Sequence, residues 1–150
     1  MTYPSATASV HGETLDELGR LGVEFSRVDP GTGLRHEIAR TFEATFPMGE
    51  WAHVDWSRAV SFREEGSDGE PMFDRAVAMV RSEAERLPPD DLLVVVAFDK
   101  NDPDILLTAR DMPAAALLVL RNDPLWIADF ERAWCFEWRH FWRIAAGRFA

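Results

Sequence analysis

Residues 126–144 constrain the fold more than any other stretch. Their even positions run Trp126, Ala128, Phe130, Arg132, Trp134, Phe136, Trp138, His140, Trp142, Ile144, and eight of the ten are apolar. That is the period of a strand with one buried face. The same stretch carries an i+4 ladder from Trp126 through Phe130, Trp134 and Trp138 to Trp142, which is helical spacing. Asp123-Pro124 would start such a helix and Gly147 would stop it. Two strands, over 125–130 and 133–145, are the expectation, and one helix over 123–147 is the alternative. Aromatic density favours a pleated surface. A helix would also place Phe136 on its polar face and draw Glu131 and Glu137 toward its apolar one.

The other elements follow from period and punctuation. Residues 23–28 alternate as a half-buried strand. Thr14 could cap a short helix through Leu18, beyond a frayed polar N-terminus at 1–12. After the turn at 29–33, Thr32 can cap a helix in which Leu34, Ile38, Phe42 and Phe46 share one face. Val54, Trp56, Val60 and Phe62 share one parity, which predicts a strand from near Trp51. Residues 72–87 read as a helix that Pro88 and Pro89 end. Residues 92–98 are continuously apolar and β-branched, as a central strand covered on both faces would be. Residues 105–109 return antiparallel, and Asp111 caps a short helix with Pro113 in its first turn. The expected architecture is a single α+β domain over 13–150. It is a mostly antiparallel sheet of five to six strands with three to four helices packed on it, as one pair of layers.

At 150 residues and 47% hydrophobic content, the chain can bury roughly 70% of its unfolded surface in one core, without staples. Cys135 is the only cysteine, which rules out an internal disulfide and fits a reducing compartment. Flanked by Trp134 and Phe136, it reads as a buried, inert thiol rather than a nucleophile. Residues 1–10 have neither the charge nor the apolar run of a signal peptide, and no stretch is long and apolar enough for a bilayer span. A cytoplasmic protein is expected. Fifteen of the sixteen basic residues are Arg, which suggests a GC-rich, bacterial genome.

The net charge is −10, and its distribution is uneven: residues 13–110 hold 21 acidic and 11 basic side chains, and residues 111–150 hold five of each. A nucleic-acid or anionic-membrane binder needs a basic face, and the sequence shows none. An acidic surface can instead steer a basic protein into contact. The loop with Glu64, Glu65, Asp68 and Glu70, together with Asp99, Asp102 and Asp104, is the candidate partner-binding set. Its bland reading is a solvated loop that keeps the protein soluble.

Chemistry-bearing patterns are incomplete. His36-Glu37 opens like a zinc-protease helix, but position 40 is Arg where a second His is required. Residues 99–110 lack the Gly and Glu of a calcium loop. Gly31-Thr32-Gly33 precedes a helix without the rest of a nucleotide fingerprint. His53 and Asp55 could form an acid/base pair on one strand face, with no nucleophile nearby in sequence. His140, among aromatics, reads as structural. No catalytic residue, metal site or cofactor is assigned.

The final forty residues carry a further pattern. The runs 113–121, 125–129 (Leu-Trp-Ile-Ala-Asp) and 133–138 (Ala-Trp-Cys-Phe-Glu-Trp) give a short helix and then an aromatic hairpin. This resembles the C-terminal part of small bacterial toxin-immunity proteins. The resemblance covers about a quarter of the chain and transfers no site residues. It implies a non-enzymatic inhibitor that occludes a basic toxin domain, such as a nuclease. Two other readings stand beside it: a small enzyme or ligand-binding domain with a pocket at His53/Asp55, and an oligomerisation domain built on the tryptophan-rich end.

Overall fold

A run of β-branched and aromatic residues broken by short polar turns favours hairpins over crossovers, and hairpins dominate here. The computed structural model describes residues 6–66, 72–121, 124–139 and 143–149. In chain order it contains α1 (Ala6–Arg20), β1 (Phe25–Val28), α2 (Gly33–Thr45), β2 (Ser61–Gly66), α3 (Met72–Ala84), β3 (Leu92–Ala97), β4 (Asp104–Thr108), α4 (Met112–Leu120), β5 (Pro124–Asp129), β6 (Trp134–Arg139) and β7 (Arg143–Arg148). The seven strands form one sheet in the order β1-β4-β3-β5-β6-β7-β2, with every neighbouring pair antiparallel. The fold is α+β, with one strand more than the five to six expected. The extra strand arises because 133–145 is not continuous: β6 ends at Arg139 and β7 pairs back along it, with Phe136 opposite Ala146.

Both faces of the sheet are covered, so a third layer joins the expected two. On the first face, α1, α3 and α4 bury Leu93, Val95, Ile127, Phe136 and Ile144. The middle helix, α4, is apolar on nearly every side, with Met112, Ala115, Ala116, Leu118, Val119 and Leu120 buried, as suits a helix enclosed by neighbours. On the second face, Phe42 and Phe46 of α2 and its end, with Val54 and Trp56, cover Ala128, Cys135 and Ala145. β3 is central, as its composition required: Leu93 and Val95 face one layer and Val94 the other.

Three local expectations are corrected. The strand from Trp51 does not form. Residues 48–58 make one isolated bridge, Met48 to Val54, and two 3-10 turns at Glu50–Ala52 and Trp56–Arg58. Asp55 caps the second turn by accepting from the Ser57 amide at 3.2 Å, and such local side-chain bonding competes with a ladder. Thr14 does not start a helix: α1 begins at Ala6, and Thr14 lies buried within it. Asp111 stands at the start of α4 but makes no side-chain cap bond. Thr32 does cap α2, accepting from the Arg35 amide at 3.2 Å.

Parity reverses within the aromatic hairpin. Residues 130–133 join β5 to β6, and Ala133 takes a left-handed φ of 49°. As a result Trp126 packs on the second face while Trp134 and Trp138 pack on the first. The shared even parity of these residues therefore does not mark one shared face.

Candidate functional site

Glu137 is fully buried, yet three donors converge on its carboxylate. Oε2 accepts from the Val54 amide at 2.7 Å and the Trp126 indole at 2.9 Å, and Oε1 accepts from the Trp56 indole at 2.8 Å. His53 Nδ1 lies 3.7 Å from Oε2. Trp126 is the direct cross-strand partner of Glu137, so the sheet register sets one bond and the 48–58 turns supply the others. Each bond to a carboxylate is worth about 1.5–3 kcal/mol. The cluster therefore ties the irregular 48–58 segment to the sheet. Cys135 lies on the same face, fully buried. Burial pushes its thiol well above the usual range, and the Glu137 charge adds to that, so it is no nucleophile.

A second acidic cluster lies on the opposite face, near the β5–β6 turn. Asp129 Oδ1 accepts from the Glu131 amide at 3.1 Å and the Arg132 amide at 3.3 Å, closing the turn. Its carboxyl also meets that of Asp91. Burial first, then the Asp91 contact, raises Asp129 to about 7, although the two amides oppose this. Asp91 is held below the usual range, first by its bond with Asp129, against burial, and then by Arg132. Arg132 Nε lies 3.1 Å from Asp91 Oδ2. One proton shared between two carboxyls accounts for the opposite shifts.

Beside this pair, α3 stops short of the sheet's end and leaves a cleft of about 600 Å³. Its floor is Ser61, Ala146 and Trp134; Arg86, Leu87 and Pro88 approach from the end of α3, and Arg63, Arg132 and Arg148 from the sheet and its turn. Arg63 Nε lies 3.4 Å from Glu83. The Trp134 indole N–H is buried and has no acceptor among the described residues. The floor closes tightly below: a Cβ on Gly147 would collide with the Ser61 carbonyl and the Phe62 Cα.

The residues expected to bind a partner are divided. Glu64 pairs with Arg143 at 2.8 Å and Glu65 with Arg75 at 3.5 Å, both on the edge strand β2. Asp68 and Glu70 fall outside the described residues. Asp99 is half-buried in the β3–β4 turn, where it accepts from the Asn101 amide at 2.8 Å. Asp102 and Asp104 are buried, which corrects their reading as surface contacts. Arg35 holds both, with Nε 3.0 Å from Asp104 Oδ2 and Nη1 donating to the Asp102 carbonyl at 2.6 Å. Burial raises the Asp104 carboxyl, opposed by its bond from the Ala97 amide and by Arg35.

His53 and Asp55 do not share a strand: His53 lies beside Glu137 while Asp55 caps a 3-10 turn. His36 is exposed on α2, and His140 falls outside the described residues. Trp134 is buried in the core of the first face with Trp138 half-buried against that core, Trp126 is half-buried on the second face, and Trp142 falls outside the described residues. Among the described residues, no helix is long and apolar enough to cross a membrane, and no cluster of His, Cys, Asp and Glu has the makings of a metal site. The arginine cleft was hidden in the sequence because Arg63, Arg86, Arg132 and Arg148 come from four separate segments. No family model matches the chain, and no curated protein matches it either.

Proposed function

We propose that the chain is a non-enzymatic protein-binding module of the immunity type, which occludes a basic toxin domain through an acidic surface. The observation that carries this reading is the net charge of −10, held mainly by carboxylates at the surface. Among the described residues, five acidic side chains are buried within the fold: Asp91, Asp102, Asp104, Asp129 and Glu137. Others face solvent, including Glu13, Asp16, Glu24, Glu37, Glu43, Asp74 and Glu85.

The contact surface we favour is the sheet end where β2 and β3 finish. Four antiparallel steps separate these strands, so both run toward the same end, roughly 19 Å apart at about 4.8 Å per step. Glu64 and Glu65 lie on one side and Asp99 on the other. Phe98, 61% exposed, stands beside Asp99 as an aromatic anchor of the kind that dominates protein interfaces. The test is calorimetric titration of candidate basic nuclease toxin domains into the purified chain, at low and high salt. Binding that weakens with salt and in the Glu64→Lys/Glu65→Lys/Asp99→Lys variant is expected. Failure of every candidate at low salt, or an unchanged affinity in that variant, rejects the reading.

A further inference from the structure

We propose that the arginine-lined cleft between the end of α3 and the β6–β7–β2 part of the sheet binds a compact polyanion bearing two phosphoryl groups. Four guanidinium groups and a single carboxylate, Glu83, line it, so the cleft is positive inside a strongly negative chain. Arg63 and Arg132 have carboxylate partners in Glu83 and Asp91. Arg86 and Arg148 have none among the described residues, and both are exposed. One reaches in from the helix side and the other from the sheet, which suits an anion with charge at two places. A guanidinium fork matches the oxygens of a phosphoryl group with two parallel N–H donors. The sheet side of the cleft adds Ser61, the small Ala146 side chain, and Trp134, whose indole N–H has no acceptor among the described residues. A space of about 600 Å³ falls within the usual range for a small-molecule site. An extended nucleic acid is disfavoured, because beyond the cleft it would meet the negative surface.

The inference is independent of the proposed function, and its test needs no partner protein. Inorganic pyrophosphate is titrated calorimetrically into the full chain, with citrate and a short single-stranded oligonucleotide as separate arms. Arg86→Gln and Arg148→Gln, both at exposed positions, should retain the wild-type circular dichroism spectrum. Each should bind pyrophosphate about tenfold more weakly or worse, since each removes a charge-assisted contact, and the double variant should not bind. Arg40→Gln, on the exposed face of α2 away from the cleft, should bind as wild type does. No heat from millimolar pyrophosphate overturns the proposal, as does an equal loss in Arg40→Gln. Tighter binding of citrate would assign the cleft to carboxylates, and tighter binding of the oligonucleotide to a polymer; either result overturns it too.

Discussion

Replacing Glu137 by Gln tests whether the buried carboxylate holds the second face of the sheet together. The side chain keeps its shape and loses one acceptor. If its oxygen takes the Oε2 place, it keeps the Val54 amide and the Trp126 indole, but its NH2 then faces the Trp56 indole N–H, donor against donor. If it flips, two bonds are lost instead of one. The better arrangement gives up one carboxylate bond, about 1.5–3 kcal/mol, and weakens two others by about 1 kcal/mol each. Relief from burying a charge offsets part of that. A net loss of about 2–3 kcal/mol is expected, or roughly 4–12 °C in Tm for a domain of this size. Glu137→Met fills similar space, leaves all three donors unmatched, and should cost more than Gln. Urea unfolding followed by tryptophan fluorescence and by far-UV circular dichroism gives both values. Trp56 and Trp126 should report the change before the sheet does. A Gln variant within about 0.5 kcal/mol of wild type would show that desolvation cancels the three bonds, and the reasoning would fail.

Gly147→Ala should displace β2, because the added Cβ meets the Ser61 carbonyl and the Phe62 Cα, which are backbone atoms that cannot swing aside. The expected cost is about 1–3 kcal/mol, with faster amide exchange along residues 61–66; unchanged exchange there would refute the close approach. Asp129→Asn should flatten the pH dependence of stability. The folded carboxyl sits near 7, above its unfolded value, so its contribution is complete below about pH 4 and lost as pH rises through about 7, at no more than about 1.4 kcal/mol per pH unit. Asp91, shifted down, acts in the opposite sense and only at lower pH. Denaturation midpoints from pH 5 to 8 should therefore fall with rising pH in wild type and much less in the variant. Equal slopes would exclude the shared proton.

The regular elements were legible because each obeys a local rule. The apolar run of β3, the Thr32 cap on α2 and the Pro88-Pro89 stop after α3 all follow from sequence pattern. What was not legible depends on contacts between distant segments. Val54 and Trp56 have the right parity for a strand, but they are fixed by Glu137, more than 80 residues away. Asp102 and Asp104 look like any acidic turn until Arg35, 67 residues from Asp102, is seen to hold them. The even parity across 126–144 was real, but one left-handed residue, Ala133, divided it between two faces. The arginines of the cleft lie in four segments with no common spacing, and only the sheet order brings them together.

That division between local and distant order also explains how one molecule can hold a negative exterior and a positive cleft. At physiological salt, charges are screened over about 8 Å. A protein approaching from farther away meets the summed field, and −10 sets its sign. A ligand inside the cleft would meet the four arginines that line it, two of them paired with Glu83 and Asp91, and these set the sign it meets. Net charge read from sequence therefore bounds the choice of a large partner and says nothing about a small one. An acidic chain can steer a basic protein and still retain a compact anion, because the two encounters take place on opposite sides of the screening length.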